Sequence, residues 1–189
     1  ACFTMDYLPT GGGAKGEPDI GEEVVRFPTT DGLTLEGRFY AANIDQFDLD
    51  MAAADPKYAP SGERLPSEFD RTVILFCHGV RDNNTSAMAY FLSEAGFRIF
   101  KFDYRSFGHS DKGQLSDRAL AEDSFAALQY LRTRPDVDPD RILVYGHSMG
   151  GVYAMAVGAL AHEAGAPVRG VISNAAFSNW REVAGDLVP

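Results

Sequence analysis

The stretch Tyr145-Gly146-His147-Ser148-Met149-Gly150-Gly151 is where this sequence offers chemistry most directly. It reads G-x-S-x-G around Ser148. The apolar run Ile142-Leu143-Val144-Tyr145 before it predicts a buried strand, and the small-residue apolar run over 152–161 predicts a buried helix after it. A serine between such elements sits on a sharp, strained bend. Its hydroxyl is lifted above the sheet edge, and the backbone N–H groups that follow are aimed at whatever it attacks. Glycines at 146 and 150 suit that bend, because a Cβ at either position would collide with neighbouring backbone as strand and helix close up. Ser148 is the candidate nucleophile. The alternative is a glycine-rich turn whose serine only caps the helix.

A nucleophile of this kind needs a second N–H donor for the oxyanion of a tetrahedral intermediate. Phe76-Cys77-His78-Gly79-Val80, at the end of an earlier strand, is placed to supply it. Gly79 lets the backbone come close, the Val80 N–H is the candidate donor beside that of Met149, and His78 supports the loop. An ordinary strand-end turn is the competing reading. A third stretch, Asp103-Tyr104-Arg105-Ser106-Phe107-Gly108-His109-Ser110-Asp111, reads as a substrate-side loop or as a structural turn tied by Asp103, Arg105 and Asp111, and the second is preferred. His109 is accordingly not assigned to catalysis. His147 cannot turn back onto its neighbour's hydroxyl, and His162 lies at the far end of the helix, where a cation suits the dipole.

The elements that must position these residues follow in chain order. Residues 1–20, glycine-rich and polar from 10 onwards, predict a flexible tail. Two β-like runs over 24–28 and 33–40 flank Thr30-Asp31-Gly32, a hairpin signal. Residues 41–70 read as a polar insertion; its Asp45, Asp48, Asp50 and Asp55 suggest calcium, but match no loop spacing. From residue 72 strands and helices alternate, which predicts a parallel sheet with helices on both faces. Strands are expected over 72–76, 97–102, 142–145 and 168–173, and helices over 84–95 and from a Ser116 cap through Leu120, Ala127, Leu128 and Leu131.

At 189 residues and 45% hydrophobic, the chain is long enough for one domain with a substantial core. A formal charge of -10 argues against nucleic acid or an anionic membrane as partner. No run approaches the roughly 18 apolar residues of a membrane span. Cys2 and Cys77 are the only cysteines, too few for a disulfide framework, and Cys77 reads as an inert core residue. The Ala1-Cys2 junction fits the boundary of a lipoprotein signal. If Cys2 is lipidated, the domain is tethered to the cell envelope; otherwise a cytoplasmic location is expected.

The order and spacing of His78-Gly79, of 103–110 and of 146–151 resemble the α/β-hydrolase superfamily, and 136–142 resembles its esterase, lipase and serine-aminopeptidase-like branches. That resemblance implies an α/β-hydrolase fold of about eight strands with a triad in the order serine, acid, histidine. The family's acid follows the seventh strand or occasionally the sixth, and its histidine the eighth. Here Asn174-Ala175-Ala176-Phe177 carries no carboxylate, Asp186 falls in what resembles the start of a lid over 177–189, and no histidine follows His162. The expectation is a domain over 21–189 cut after about the sixth strand, needing a C-terminal segment to complete it and to supply acid and base. The expected reaction is hydrolysis of a small acyl ester through Ser148, with thioester or peptide amide behind it and no cofactor or metal implied. A binding protein that keeps the pocket without chemistry, and cofactor-free haloperoxidation, are the rivals.

Overall fold

The computed structural model describes residues 23–42, 72–84, 92–93 and 97–176. The predicted tail, Cys2, the 41–70 insertion beyond residue 42, most of the 84–95 helix and the 177–189 lid segment lie outside these residues.

Asp31-Gly32 turns the chain between β1 (Glu23–Pro28) and β2 (Thr34–Tyr40), which pair antiparallel from Glu23↔Phe39 to Pro28↔Thr34. Gly32 has φ 87°, a backbone state that an L side chain would strain. Four strands follow: β3 (Val73–Cys77), β4 (Arg98–Phe102), β5 (Ile142–His147) and β6 (Gly170–Asn174). They complete a six-stranded sheet in the order β1-β2-β4-β3-β5-β6. β2 meets β4 antiparallel, and β4, β3, β5 and β6 run parallel to one another. The parallel core rests on crossovers through α1 (Asp117–Thr133) and α2 (Met149–Glu163). Ser116 caps α1 by accepting from the Ala119 N–H at 3.1 Å, as its sequence signal predicts.

Alternation along the strands divides the core between the two faces. Val73, Leu75 and Cys77 join the side occupied by α1 and α2, where Leu120, Ala127, Leu128 and Leu131 are buried. Ile74, Phe76, Ile99 and Tyr145 point to the other side, where Leu92, one of two described helical residues there, packs against them.

The helix after Ser148 departs from expectation in one respect. The sequence predicts a buried helix, yet among the described residues one side is covered: Ala154, Val157 and Ala161 are buried while Met155 is exposed. α2 lies near the sheet's edge, so β5, β6 and α1 cover a single stripe of it. That stripe is tight, since a Cβ on Gly158 would come 2.7 Å from Val171 Cγ2.

β6 is the edge. Among the described residues it pairs only with β5, and Val171 and Ile172 are 38% and 47% exposed. Parallel strands are ordinarily covered on both faces, and an exposed apolar edge is a template for further pairing. The 189-residue polypeptide is therefore expected to self-associate at micromolar concentration, and Ile172→Lys to suppress this. Size-exclusion chromatography with light scattering checks it; a monodisperse wild-type monomer contradicts it.

Candidate active site

Ser148 stands between β5 and α2 with φ 55° and ψ −120°. A non-glycine residue in that region costs about 1–3 kcal/mol, so the surrounding structure must impose it. Two contacts do so: the Ser148 N–H donates to Asn174 O of β6 at 2.9 Å, and Ser148 O accepts from the Gly151 N–H at 3.0 Å. The side chain takes no part. Ser148 occupies the position before α2, but its hydroxyl makes no capping bond to the helix and has no other partner among the described residues. It is half-buried and free to meet something else.

Two glycines let strand and helix close this far. A Cβ on Gly146 would lie 2.1 Å from Gly150 O, and one on Gly150 would lie 1.9 Å from Cys77 O and 2.7 Å from His78 O. These obstacles are backbone, which cannot swing aside as a side chain can. The first turn of α2 is thus seated on the ends of β5 and β3, and the loop after β3 lies alongside Ser148. Gly79 differs from the expectation that it permits close backbone approach. A Cβ there would sit 3.5 Å from both His147 O and Ser148 Cβ, ordinary contact distances. What the missing side chain leaves open is space beside Ser148.

Neither the Val80 N–H nor the Met149 N–H has a hydrogen-bond partner among the described residues. The Met149 N–H opens α2, whose first turn carries no acidic residue to offset the positive end of the helix dipole. The strand-to-helix bend thus offers a free hydroxyl, an unpaired N–H and the positive end of a helix, with a second unpaired N–H on the adjoining loop.

The remaining histidines are placed elsewhere. His78 is wholly buried, with Nδ1 2.8 Å from Gly79 O. His109 is exposed, with Nδ1 3.1 Å from Glu36 Oε1. His162 lies in the last turn of α2, far from Ser148. The loop after β4 is the structural turn preferred above. Asp103 accepts from the Asn84 N–H at 2.7 Å, Arg105 clamps Asp123 of α1 and reaches Asp31, and Asp111 accepts from the Thr34 N–H at 2.8 Å. Cys77 is buried and its thiol is pushed up to about 12 by that burial, which keeps it inert.

The sequence reading missed Glu36 and Asn84. Asn84 ties β2 to the loop after β4: its N–H reaches Asp103, its side chain reaches Glu36 at 3.4 Å and accepts from Arg38 at 3.1 Å, and its carbonyl accepts from Tyr40. Burial works against the Glu36 carboxylate, but hydrogen bonds from Asn84 and His109 hold it below its ordinary range. Glu36, Arg38 and Tyr40 alternate along β2 as a solvent-facing strand edge would, and no local signal marks the partner arriving from residue 84.

Comparison with known proteins agrees with this fold. Residues 69–188 match the serine aminopeptidase S33 family. The chain is 30% identical over 169 residues to the uncharacterised protein YfhR of Escherichia coli O157:H7, covering 88% of this chain and 51% of that one. It is 32% identical over 182 residues to the uncharacterised protein Rv2307c of Mycobacterium tuberculosis, covering 94% and 54%. The chain thus spans about half the length of these relatives. Among solved structures, a hyperthermophilic esterase from Pyrobaculum calidifontis superposes with a TM-score of 0.60 at 20% identity, covering 87% of this chain and 46% of that one. The α/β-hydrolase from Vibrio vulnificus gives 0.58 at 20% identity, covering 88% and 54%. With the family match over residues 69–188 added to the sheet order and the strand–Ser148–helix bend, the chain belongs to the serine aminopeptidase S33 family of α/β-hydrolases.

Proposed function

We propose that the full-length protein is a serine hydrolase that cleaves carboxylic esters through an acyl-enzyme on Ser148. The observation that carries this reading is a serine held at φ 55° whose hydroxyl has no partner among the described residues, although it stands where a serine would normally cap a helix. A capping serine would explain the residue without the strain; this one has the strain without the cap.

In the reaction, Ser148 Oγ forms a bond to the acyl carbon as its proton passes to a histidine base. The carbonyl oxygen becomes an oxyanion facing the Val80 and Met149 N–H groups. The C–O bond to the alcohol then breaks, with the alcohol taking the proton back from the base. Water repeats the sequence on the acyl-enzyme and releases the acid. Burial of His78, the Glu36 contact of His109 and the remote position of His162 support a base from outside residues 1–189. The esterase among the structural neighbours favours esters; thioesters and peptide amides come next, the latter from the family's aminopeptidase description.

Treatment of the full-length protein with a fluorophosphonate, followed by peptide mass spectrometry, is expected to find the adduct on Ser148, together with turnover of short p-nitrophenyl esters. Labelling at another serine removes Ser148 from the role. A folded full-length protein that neither labels nor hydrolyses but retains acyl ligands indicates a binding protein instead.

A further inference from the structure

His78 follows β3, its ring wholly buried and packed between Tyr104 and Phe107 at centroid distances of 4.6 and 5.4 Å. Nδ1 lies 2.8 Å from Gly79 O. A carbonyl can only accept, so the proton is assigned to Nδ1 and Nε2 presents a bare lone pair. That buried Nε2 has no hydrogen-bond partner among the described residues. Asp103 Oδ1 lies 3.8 Å from it, and the Asp103 carboxyl is equally buried. A lone pair facing a carboxylate in a dry interior is repulsive; a proton carried by the acid turns the same contact into attraction.

We propose that in mildly acidic solution His78 and Asp103 hold one proton between them, carried by Asp103, and that the Nδ1–H of the neutral His78 ring positions the Gly79–Val80 peptide. The consequence for catalysis rests on the reading of Val80 as an oxyanion donor. The C=O and N–H of a trans peptide point in opposite directions. With Gly79 O turned to the His78 ring, and accepting also from the Asp82 N–H at 3.2 Å, the Val80 N–H is directed away from that ring. Gly79 meanwhile faces Ser148. His78 is thereby a positioning residue for that donor.

The charged surroundings set where the proton resides. Lys101 of β4, paired with Asp82 at 3.0 Å, disfavours a cationic His78 and favours an ionised Asp103, while Asp82 favours a protonated His78. Glu36 of β2, contacted by Arg38 and His109, opposes ionisation of Asp103. Burial outweighs them all, and also the Asn84 and His109 N–H bonds that favour an ionised Asp103: it lowers His78 from 6.5 to about 4 and raises Asp103 from 3.8 to about 6. The order of the two groups is reversed by folding. Between pH 4 and 6 the unfolded pair keeps its proton on histidine and the folded pair keeps it on aspartate.

The signs follow by linkage. Asp103, raised in the fold, contributes stability that is present below 3.8 and lost as pH rises through about 6. His78, lowered in the fold, contributes stability that is present above 6.5 and lost as pH falls through about 4. Together the slopes cancel, because folded and unfolded chains bind the same single proton over this window.

The test is unfolding by denaturant between pH 4 and 7, with the full-length wild type, Asp103→Asn, His78→Asn and the double variant. Relative to wild type, the folding constant of Asp103→Asn is expected to fall as pH is lowered, by up to about tenfold per pH unit. That of His78→Asn falls as pH is raised, with a similar slope, and the double variant tracks wild type. In the wild type, ring ¹⁵N shifts should keep His78 a neutral Nδ1–H tautomer down to about pH 4. Slopes of the same sign, or titration of His78 near 6.5, overturn the pair, and the spectrum decides even where a variant fails to fold. For positioning, His78→Leu should slow fluorophosphonate labelling by about 100-fold at pH 7, and His78→Asn, whose amide can still donate to Gly79 O, should restore most of it. Labelling of the leucine variant at the wild-type rate refutes the positioning role. A wild type that never labels refutes the hydrolase reading, and the proton pair is then judged on slopes and spectrum.

Discussion

Replacing Ser148 with alanine in the full-length protein is expected to lower ester hydrolysis by about a million-fold, the scale of nucleophile loss in a well-studied triad protease. Stability should move by no more than about 0.5 kcal/mol. Both halves follow from the same geometry. The hydroxyl makes no hydrogen bond within the described residues, so removing it leaves nothing unpaired. Alanine keeps the Cβ that makes φ 55° unfavourable, so the strain is unchanged. Ser148→Gly separates the two: it abolishes hydrolysis equally but should gain about 1 kcal/mol, because glycine takes positive φ without penalty. Thermal unfolding measured beside hydrolysis of a short ester checks both variants. Hydrolysis that persists in Ser148→Ala would remove the nucleophile from its role. A glycine variant less stable than wild type would show that the hydroxyl contributes to the fold after all.

The strained serine was legible because its sequence signals are local, although the Asn174 O contact that helps to hold it comes from β6. The β-branched run of β5, the glycines at 146 and 150 and the small residues of α2 lie within about twenty positions, and each has a steric meaning of its own. The hairpin was legible for the same reason, since Asp31-Gly32 specifies its own turn. What the sequence hid are contacts between segments distant along the chain. Glu36 meets Asn84 and His109, and His78 lies beside Asp103, through the sheet order β2-β4-β3 rather than through chain neighbours. Polar residues that alternate on a strand look solvent-facing until the order of strands is known. That α2 has an exposed side although its sequence predicts a buried helix has a related cause: apolar composition records how much surface can be covered, not which neighbours arrive. At Gly79 a glycine beside a functional loop suggests crowding, whereas a Cβ there would meet only ordinary contacts.

The tightest point of the site is Gly150, and Gly150→Ala is expected to damage fold and catalysis together. Its Cβ would fall 1.9 Å from Cys77 O and 2.7 Å from His78 O. Both are main-chain atoms of β3 and the residue after it, held by pairing with β4 and β5. The helix must therefore retreat by an ångström or more. Overpacking in a core costs about 1–3 kcal/mol, and a clash with immobile backbone belongs at the upper end or beyond. The retreat carries the Met149 N–H away from Ser148, and displacements of this size cost about 100-fold in rate, expressed mainly in kcat. Gly79→Ala is the control: its Cβ meets only ordinary contacts, so stability should change by less than about 1 kcal/mol. That methyl group nevertheless stands 3.5 Å from Ser148 Cβ, in the space left open beside the hydroxyl, and should raise KM or lower kcat while the melting temperature holds. The pair separates two uses of glycine in one site, close packing at 150 and open space at 79. If Gly150→Ala melted and turned over like wild type, the helix would not be seated on β3, and the placement of the Met149 N–H beside Ser148 would have to be abandoned.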